Sequence, residues 1–437
     1  MSNKKLHIIS IGLVLMGGIG LLGCSGSIQT EMRTEQEINC SFKNPDGRDL
    51  FISLLEEPLW RSRDAYDAGH YLMIPLHYAE LCDDRDLLEA FQAHFEGLLK
   101  VYDENDIDLK TGQELQYLTL VSRWVSLDTT VSSPEEKQDL ADLVEARFLH
   151  YWEQAPAWQW TQNDFDGGVR ERLEWKLTIE DVDRSYYNAI IDQELFLMGI
   201  AADLLVWHQS QGSTCESCVE AIEYFDRIME ARLHRGGPGW DFQLGMRTDH
   251  YTYQYAGYLT KPDEDSPPKP VEGLQQDSSH AHRWPLWLTQ LASVRDVCEF
   301  QERLKWQLIN QVVETQSGVG IPVLRNYMSG HNGYYRWQYE THEENEGYGP
   351  YELSGTFSMG WWAFLGGKEV SDLYIQLEKA YPLDEAQLAL YEGLSTRERH
   401  PIIESAYVNG LKKGLSQMAV VIAQKWQKHE GRKCIVR

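Results

Sequence analysis

The sequence predicts an all-α fold, an α/α toroid in which about five to six helical hairpins form an incomplete or closed ring. Apolar residues recur at helical spacing almost everywhere after residue 48, and long alternating strand patterns are scarce. The predicted helices come in pairs separated by short polar turns. Because a hairpin of roughly 40 to 60 residues buries its apolar face only against its neighbours, repeated hairpins are typical of a solenoid or a toroid.

The chain begins with a targeting segment that does not belong to this fold. Lys4 and Lys5 precede an apolar run over 8–22, which is short for a membrane-spanning helix. The run ends in Leu21-Leu22-Gly23-Cys24, which resembles the lipobox of bacterial lipoproteins. This resemblance implies a signal peptide over 1–23, acylation of Cys24 with palmitate and a lipid anchor in a membrane. Because Ser25 follows in place of Asp, it also implies the outer membrane, on its periplasmic or surface face.

Residues 24–48 are polar and lack periodicity, which predicts a tether, and 49–437 then form a single domain. The whole chain has 40 basic and 67 acidic residues, a net charge of −27, and this excludes nucleic acid as a favoured partner. The same charge repels a polyanionic glycan at long range, unless arginines concentrate at the site.

Six cysteines remain besides Cys24, and in an exported protein an even number permits disulfides, with 15 pairings of six. Cys215 and Cys218 have the spacing of a redox motif. No βαβ pattern surrounds them, so we interpret them as a structural bridge or spare thiols.

Each helix is predicted from its own periodicity or cap. Leu87, Phe91, Phe95 and Leu98 share one face of a predicted helix. Ser133-Pro134-Glu135-Glu136 has the cap, the proline and the acidic first turn of a helix start. The predicted helices cover 70–81, 87–101, 115–127, 134–152, 187–208, 218–234, 277–294, 297–315, 352–365, 370–379, 385–394 and 403–427. Long connections over 153–186, 235–276 and 316–351 are predicted to build a cleft at one end.

One polar stretch, 276–288, lies at the start of a predicted helix, and its residue pattern recurs near the start of the chain. Asp277, His280, Pro285 and Leu286 set the frame Asp-x-x-His-x-x-x-x-Pro-Leu, and the same frame begins at Asp67. Asp277 is a good N-cap for a helix with His280 in its first turn, whereas Pro285 favours a helix that begins near Trp284. Both alternatives place Asp277, His280, His282 and Arg283 at a helix entrance.

Metal binding was the other interpretation of this stretch, because His-x-His spacing occurs in metal sites. His280 and His282 are two residues apart and point to different faces of a helix, so they converge on a metal only if the segment is extended. We predict no metal and no cofactor.

The third long connection is rich in aromatic residues, with eleven between Tyr327 and Phe364, where the chain average of 11% gives about four. Rings stack on the CH faces of sugars while polar groups bind the hydroxyls, so this composition favours a polysaccharide ligand. The alternative is a loop whose aromatic side chains serve only to pack it against the domain. Arg184 and Asn188 form another polar cluster before a predicted helix.

The pattern of paired helices over 50–427 resembles the α/α-toroid carbohydrate-active enzymes, namely polysaccharide lyases of the alginate and heparinase type and inverting glycoside hydrolases. The resemblance implies a carbohydrate-active enzyme but does not by itself give the reaction. Our first hypothesis is cleavage of a uronate-containing glycan by β-elimination, which needs a base, an acid and donors that neutralise the enolate. The candidate catalytic residues are Asp277, His280, His282, Tyr335 and Tyr339. The candidate substrate-binding residues are Arg184, Asn188, Arg283, Trp284, Arg336, Trp337, Glu340 and His342.

Two alternatives stay open at this point. An inverting hydrolase of neutral glycan needs two carboxylates, which Asp277 with Glu340, Glu343 or Glu344 can supply. A non-catalytic glycan-binding or scaffolding lipoprotein is the other, because helical arrays are frequent binding platforms.

Overall fold

The computed structural model describes residues 40, 45–103, 111–127, 131, 133–160, 164–315, 318–338, 346–392 and 399–433. Several sequence predictions lie outside these residues: the signal peptide, Cys24, most of the tether, Tyr339, Glu340, His342, Glu343 and Glu344. The described residues belong to one compact unit.

The prediction of an all-α protein is confirmed. The α-helices are α1 (Pro45–Leu55), α2 (Ser62–Tyr71), α3 (Met73–Cys82), α4 (Arg85–Asp103), α5 (Thr111–Ser126), α6 (Pro134–Leu149), α7 (Gly168–Thr178), α8 (Asp192–Ser210), α9 (Glu216–Arg232), α10 (Ser278–Ala281), α11 (Trp284–Leu291), α12 (Cys298–Gln307), α13 (Lys368–Ala380), α14 (Glu385–Tyr391), α15 (Pro401–Ala406) and α16 (Lys413–Lys433). Among the described helices, none is long and apolar enough to cross a bilayer.

Shorter elements connect these helices. Segments of π-helix cover His150–Gln154, Leu308–Val312 and Tyr407–Lys412, and segments of 3₁₀-helix cover Ser185–Asn188, Tyr251–Tyr253, Ser354–Met359 and Trp361–Leu365. Two antiparallel pairs of two-residue strands complete the fold: β1 (Leu233–His234) with β2 (Asp241–Phe242), and β3 (Val313–Glu314) with β4 (Val323–Leu324).

The best-predicted helices had the strongest local signals. Leu87, Phe91, Phe95 and Leu98 of α4 are all buried, as their shared face predicts. Ser133 caps α6 through a capping box with Glu136, and Pro134 is the first helical residue.

Some elements differ from the prediction. Helix α1 begins at Pro45, inside the predicted tether, and α7 lies inside the first predicted long connection. Residues 352–365 form two 3₁₀ segments and not an α-helix, because Gly360 between them has φ +89°. A Cβ atom there would lie 2.8 Å from the Ile74 side chain, so only glycine fits.

The two Asp-x-x-His-x-x-x-x-Pro-Leu frames share a break in the helix. A proline removes one N–H and clashes with the carbonyl four residues earlier. Pro75 thereby ends α2 at Tyr71, and Pro285 ends α10 at Ala281. In both frames the histidine therefore stands in the last turn of a helix, immediately before the break. The predicted helix over 70–81 is for this reason two helices.

The inner helices pack in a series that returns to its start. Helix α2 packs on α5, α5 on α8, α8 on α11, α11 on Trp361–Leu365, that segment on α16, and α16 on α3, which adjoins α2. Helix α8 is buried along almost its whole length, as its nearly continuous apolar sequence requires. Helices α4, α6, α9, α12 and α13 each pack on a member of this series.

Disulfides fix two points on this framework. Cys40 pairs with Cys82 at the end of α3, and Cys215 pairs with Cys218 at the start of α9. The second pair agrees with its interpretation as a structural bridge. Cys298, the first residue of α12, is also disulfide-bonded.

Candidate functional site

A cavity of about 300 Å³ opens where the two Asp-x-x-His frames meet the C-terminal part of the chain. Five cationic side chains line it, against three carboxylates. We call it the cationic pocket. Its charged lining residues are Arg63, Arg283, Arg336, Arg399, Lys412, Asp67, Glu352 and Glu392, and its lining histidines and tyrosines are His70, His280, His282, Tyr66, Tyr71, Tyr335, Tyr348 and Tyr407.

The local structure of 277–285 combines both sequence alternatives. Asp277 caps the short helix α10 through a 3.0 Å hydrogen bond from the His280 backbone N–H. A second helix, α11, then begins at Trp284 with Pro285 in its first turn. The cap fixes the turn that presents His280 to the pocket.

Asp277 and His280 also interact through their side chains. His280 Nδ1 lies 2.8 Å from Asp277 Oδ1 and 2.9 Å from Oδ2, so a protonated Nδ1 donates to the carboxylate. Because the partner of one ring nitrogen sets the tautomer, Nε2 is then an acceptor. Asp277 is buried, whereas the His280 side chain is 31% exposed at the pocket wall. The pair therefore has the geometry of a histidine base oriented by a buried carboxylate.

The surroundings of Asp277 keep it ionised. Its carboxylate also accepts hydrogen bonds from Tyr253 Oη at 2.7 Å and Ser279 Oγ at 2.5 Å. Burial alone would raise the pKa of Asp277, but the charge of His280 and the hydrogen bonds from His280, Ser279 and Tyr253 lower it far below its usual value.

His282 and His70 bring the two frames together, with their rings stacked 5.5 Å apart. His282 Nδ1 donates to the Ser279 carbonyl at 2.5 Å, and its buried Nε2 has no hydrogen-bond partner among the described residues. Burial, and then the nearby Arg283 charge, lower the pKa of both histidines well below the usual value. Both rings are therefore neutral at neutral pH.

Asp67, the first residue of the other frame, is a second buried carboxyl group at the pocket. Arg63 Nη2 lies 2.8 Å from its Oδ1, while its buried Oδ2 has no hydrogen-bond partner among the described residues. Burial raises the pKa of Asp67, and the ion pair with Arg63 only partly opposes this. Asp67 thus differs from Asp277, whose pKa is lowered.

The arginines of the pocket are held by specific contacts. Arg283 is buried and donates to Asp192 Oδ2 at 2.7 Å and to Tyr66 Oη at 2.6 Å. Arg336 lies over the Tyr335 ring at 5.2 Å and has φ +60°, a conformation that costs energy for any residue but glycine. The bond from its backbone N–H to the Thr252 carbonyl, at 2.9 Å, holds this conformation.

Tyr407 stands between two cations at the C-terminal side of the pocket. The Arg399 guanidinium is 3.8 Å from the ring centroid and Lys412 Nζ is 4.3 Å from it. Burial raises the pKa of the Tyr407 hydroxyl, but Lys412, Arg399 and a hydrogen bond from Tyr71 together lower it below the usual value. Tyr335, by contrast, has its pKa raised well above the usual value by burial, so it stays protonated.

The structure brings together part of the predicted site. His280, His282, Tyr335, Arg283 and Arg336 all line the cationic pocket, and Asp277 lies directly behind His280. The remaining described candidates are Arg184, Asn188, Trp284 and Trp337, none of which lines it.

These four residues lie in three other places. Trp284 has no exposed surface and packs on Trp240, Phe242 and Trp287 in the core. Trp337 packs on Tyr334 and Tyr255, in the aromatic loop. Arg184 is exposed and precedes the 3₁₀ segment Ser185–Asn188, and Asn188, the last residue of that segment, is half-buried.

Sequence reasoning missed Arg63, Arg399, Tyr407 and Lys412 as site residues. The repeat of the Asp-x-x-His frame could have identified Asp67 and His70, because the histidines of both copies line the same pocket. Nothing in the sequence marks Tyr407 or Lys412, which belong to the π-helical segment before α16 and reach the pocket through packing between distant parts of the chain, including α16 on α3.

The two histidines of the His-x-His motif each have one ring nitrogen engaged in a hydrogen bond. His280 Nδ1 is bonded to Asp277 and His282 Nδ1 to the Ser279 carbonyl. Within the described ranges, the only cluster of three side chains with metal-ligand spacing is Glu145, His208 and Cys215. Cys215 is bonded to Cys218, so its sulfur is not a thiolate ligand.

Comparison with known proteins adds no relative: no family model, no curated protein and no solved structure matches the chain. The chemistry of the pocket is therefore the basis for assigning a function.

Proposed function

We propose that the chain is a polysaccharide lyase that cleaves a uronate-containing glycan by β-elimination in the cationic pocket. The closed series of inner helix contacts supports an α/α toroid as its architecture. We further propose that acylation at Cys24 anchors the mature protein to the outer membrane, where it meets polysaccharide outside the cytoplasm.

The observation that carries the proposal is the concentration of positive charge at one site of an acidic protein. The chain has a net charge of −27, yet among the described residues the pocket has five cations and three carboxylates. Low-dielectric walls strengthen the local field of such a cluster. A uronate carboxylate is the group this field favours, and guanidinium groups bind carboxylates in two-point geometry.

β-Elimination needs a base for the proton on the carbon next to the carboxylate. His280 Nε2 is the candidate, because Asp277 holds the ring and stabilises the imidazolium that forms. As the C5–H bond breaks, its electron pair enters the carboxylate as an enolate, which Arg283 and Arg336 neutralise.

The enolate then collapses to a C4–C5 double bond, and the C4–O bond breaks with its electron pair on the leaving oxygen. That oxygen takes a proton from an acid. Tyr335 lines the pocket beside His280, with ring centroids 6.4 Å apart, and stays protonated because burial raises its pKa. We assign it this role.

The test is incubation of the purified protein with alginate, polyglucuronate and glycosaminoglycans. The unsaturated uronate product absorbs in the ultraviolet. We expect His280→Ala to reduce the rate by about 10²- to 10⁴-fold, while His208→Ala, at a partly exposed histidine paired with Glu145, leaves it unchanged. Absence of unsaturated product from every acidic glycan would refute the lyase.

An inverting glycoside hydrolase is the second candidate, and Asp67 is the observation that favours it. A general acid needs a raised pKa and an oxygen that is not held by another group. The pKa of Asp67 is raised, and its Oδ2 has no hydrogen-bond partner in the part of the chain that the structure describes. Asp277, proposed from the sequence for this role, is buried and bonded to three side chains. Reducing ends released without ultraviolet absorbance, and lost in Asp67→Asn but not in His280→Ala, would establish hydrolysis.

A further inference from the structure

A partly exposed cluster of aromatic rings lies outside the cationic pocket, with two exposed rings and three half-buried ones. It consists of Trp158, Trp160, Tyr186, Tyr187 and Tyr251, and we call it the aromatic platform. Trp158 is 58% exposed and Tyr251 45% exposed, whereas most large apolar side chains of the described residues are buried. Adjacent ring centroids lie 6.0 Å apart for Trp158 and Trp160, 5.0 Å for Trp160 and Tyr186, and 4.9 Å for Tyr186 and Tyr187.

The backbone beneath the platform is fixed by buried polar groups. Arg172 donates to the Trp158 carbonyl at 2.8 Å and is itself held by the buried Glu194. Gln159, with no exposed surface, donates to the Tyr187 carbonyl. Because the backbone that carries these rings is already fixed, ligand binding costs less backbone entropy, which is the property of a preorganised contact surface.

The third segment of the platform, residues 249–251, is bonded to Ser185 of the second segment. The Ser185 backbone N–H donates to Asp249 Oδ2 at 3.1 Å and its hydroxyl lies 2.5 Å from Asp249 Oδ1. His250 then packs on Tyr186 at 4.4 Å and on Tyr251 at 4.3 Å. Rings from three separate segments therefore form one surface.

The segment that carries Tyr251 also packs behind the cationic pocket. Tyr253, two residues after Tyr251, packs on Tyr335 at 5.4 Å and donates to Asp277. The Thr252 carbonyl between them accepts from the Arg336 backbone. The element that carries Tyr251 thus also supports two residues that line the pocket, Tyr335 and Arg336, and Asp277 behind it.

We infer that the aromatic platform binds further sugar rings of an acidic polysaccharide whose reacting uronate occupies the cationic pocket. This inference rests on the proposed function. Aromatic faces stack on the CH faces of sugars, and the exposed Arg184 beside Tyr186 adds positive charge for a second acidic unit. The substrate is then a polymer of several sugar units, because a disaccharide in the pocket leaves the platform empty.

The test compares long and short forms of the same glycan. Binding of alginate and polyglucuronate hexasaccharides and disaccharides is measured by calorimetry, and product formation is measured in parallel. We expect Trp158→Ala and Tyr251→Ala each to weaken hexasaccharide binding by about three- to tenfold and to leave disaccharide binding unchanged. Val219→Ala, at a 44% exposed apolar residue on α9, is the matched control.

The outcomes separate the platform from the lyase. Hexasaccharide binding that is equal in wild type, Trp158→Ala and Tyr251→Ala overturns the platform and leaves the lyase standing. Binding that depends on the platform without any unsaturated product overturns the lyase and supports the platform. No binding of either glycan overturns both. Binding of anionic lipid vesicles, or dimerisation, that Trp158→Ala abolishes while glycan affinity is unchanged also overturns the platform as a sugar site.

Discussion

Replacing Asp277 by Asn tests whether the buried carboxylate is a partner of His280 or only a helix cap. The substitution keeps the size of the side chain and leaves one oxygen that can accept from the His280 backbone N–H. It removes the negative charge that faces His280 Nδ1 at 2.8 and 2.9 Å. It also places an amide N–H₂ group near Tyr253 Oη or Ser279 Oγ, each of which now donates to a carboxylate oxygen.

Two magnitudes follow from these contacts. Loss of charge on buried, hydrogen-bonded oxygens lowers the free energy of unfolding by about 1–3 kcal/mol. Loss of the group that orients and stabilises the imidazolium lowers the rate by about 10²- to 10⁴-fold. Since the pKa of Asp277 is lowered in the folded protein, its ionised form stabilises the fold above the unfolded pKa of about 3.9. The stability difference is therefore constant at neutral pH and decreases as the pH falls below about 4.

The assay is a double-mutant cycle on the initial rate with the best acidic glycan, combined with urea unfolding of each variant. If Asp277 acts through His280, the double variant Asp277→Asn with His280→Ala is no slower than His280→Ala alone. Asp384→Asn is the control for loss of a cap alone, because Asp384 is exposed and caps α14 through a 2.9 Å bond from the Gln387 backbone N–H.

A different pattern would refute the reasoning. Asp277→Asn with less than about a threefold loss of rate, together with the expected loss of stability, would show that Asp277 is a cap alone. Additive effects of the two substitutions would show that they act independently.

Three further predictions concern stability. Burial lowers the pKa of His94 to about 4, so the fold loses up to about 3 kcal/mol as the pH falls from about 6.5 towards 4, and His94→Gln should flatten this dependence of the urea midpoint. Gly69→Ala places a Cβ atom 2.6 Å from the Gln116 carbonyl oxygen and should cost about 1–3 kcal/mol in urea unfolding. Replacing Cys40 and Cys82 by Ala opens a link between residues 42 positions apart and should lower stability by up to about 4 kcal/mol.

Each of these predictions has an internal control. The difference in urea midpoint between the wild type and His94→Gln at pH 7, where His94 is neutral, reports the effect of the substitution apart from protonation. Gly112→Ala, where nothing lies within 4 Å of the added Cβ atom, should be neutral or stabilising. Reductant should destabilise the wild type but should have a smaller effect on the cysteine variant. A wild-type urea midpoint that does not change between pH 7 and 4.5 would contradict the role given to His94.

The all-α fold followed from the sequence because the signals for most helices are local. The residues that form the apolar face of α4 lie close together in the sequence, and so do the residues that form the cap of α6. The structure has both features. Helix α7 was missed because its sequence, GVRERLEWKLT, is mostly polar and gives no clear apolar stripe. It is nevertheless fixed by the ion pairs of Arg172 and Lys176 with Glu194 on α8.

The site was predictable only where the chain repeats itself or concentrates one type of residue. The Asp-x-x-His frame and the aromatic stretch pointed to His280, Tyr335 and Arg336, which all line the pocket. Tyr407 and Lys412 come from the far end of the chain, and their place depends on packing between segments more than 300 positions apart. Sequence periodicity carries no information on such contacts, because it reports the face of a helix and not its neighbour.

The packing of α16 against α3 determines when, during synthesis, the two sides of the pocket can come together. Arg63, Asp67 and His70 are synthesised early, whereas Arg399, Tyr407 and Lys412 belong to the last tenth of the chain. A nascent chain that lacks this last tenth holds only one side of the pocket. The complete set of pocket residues is therefore present only when synthesis of the chain is nearly finished.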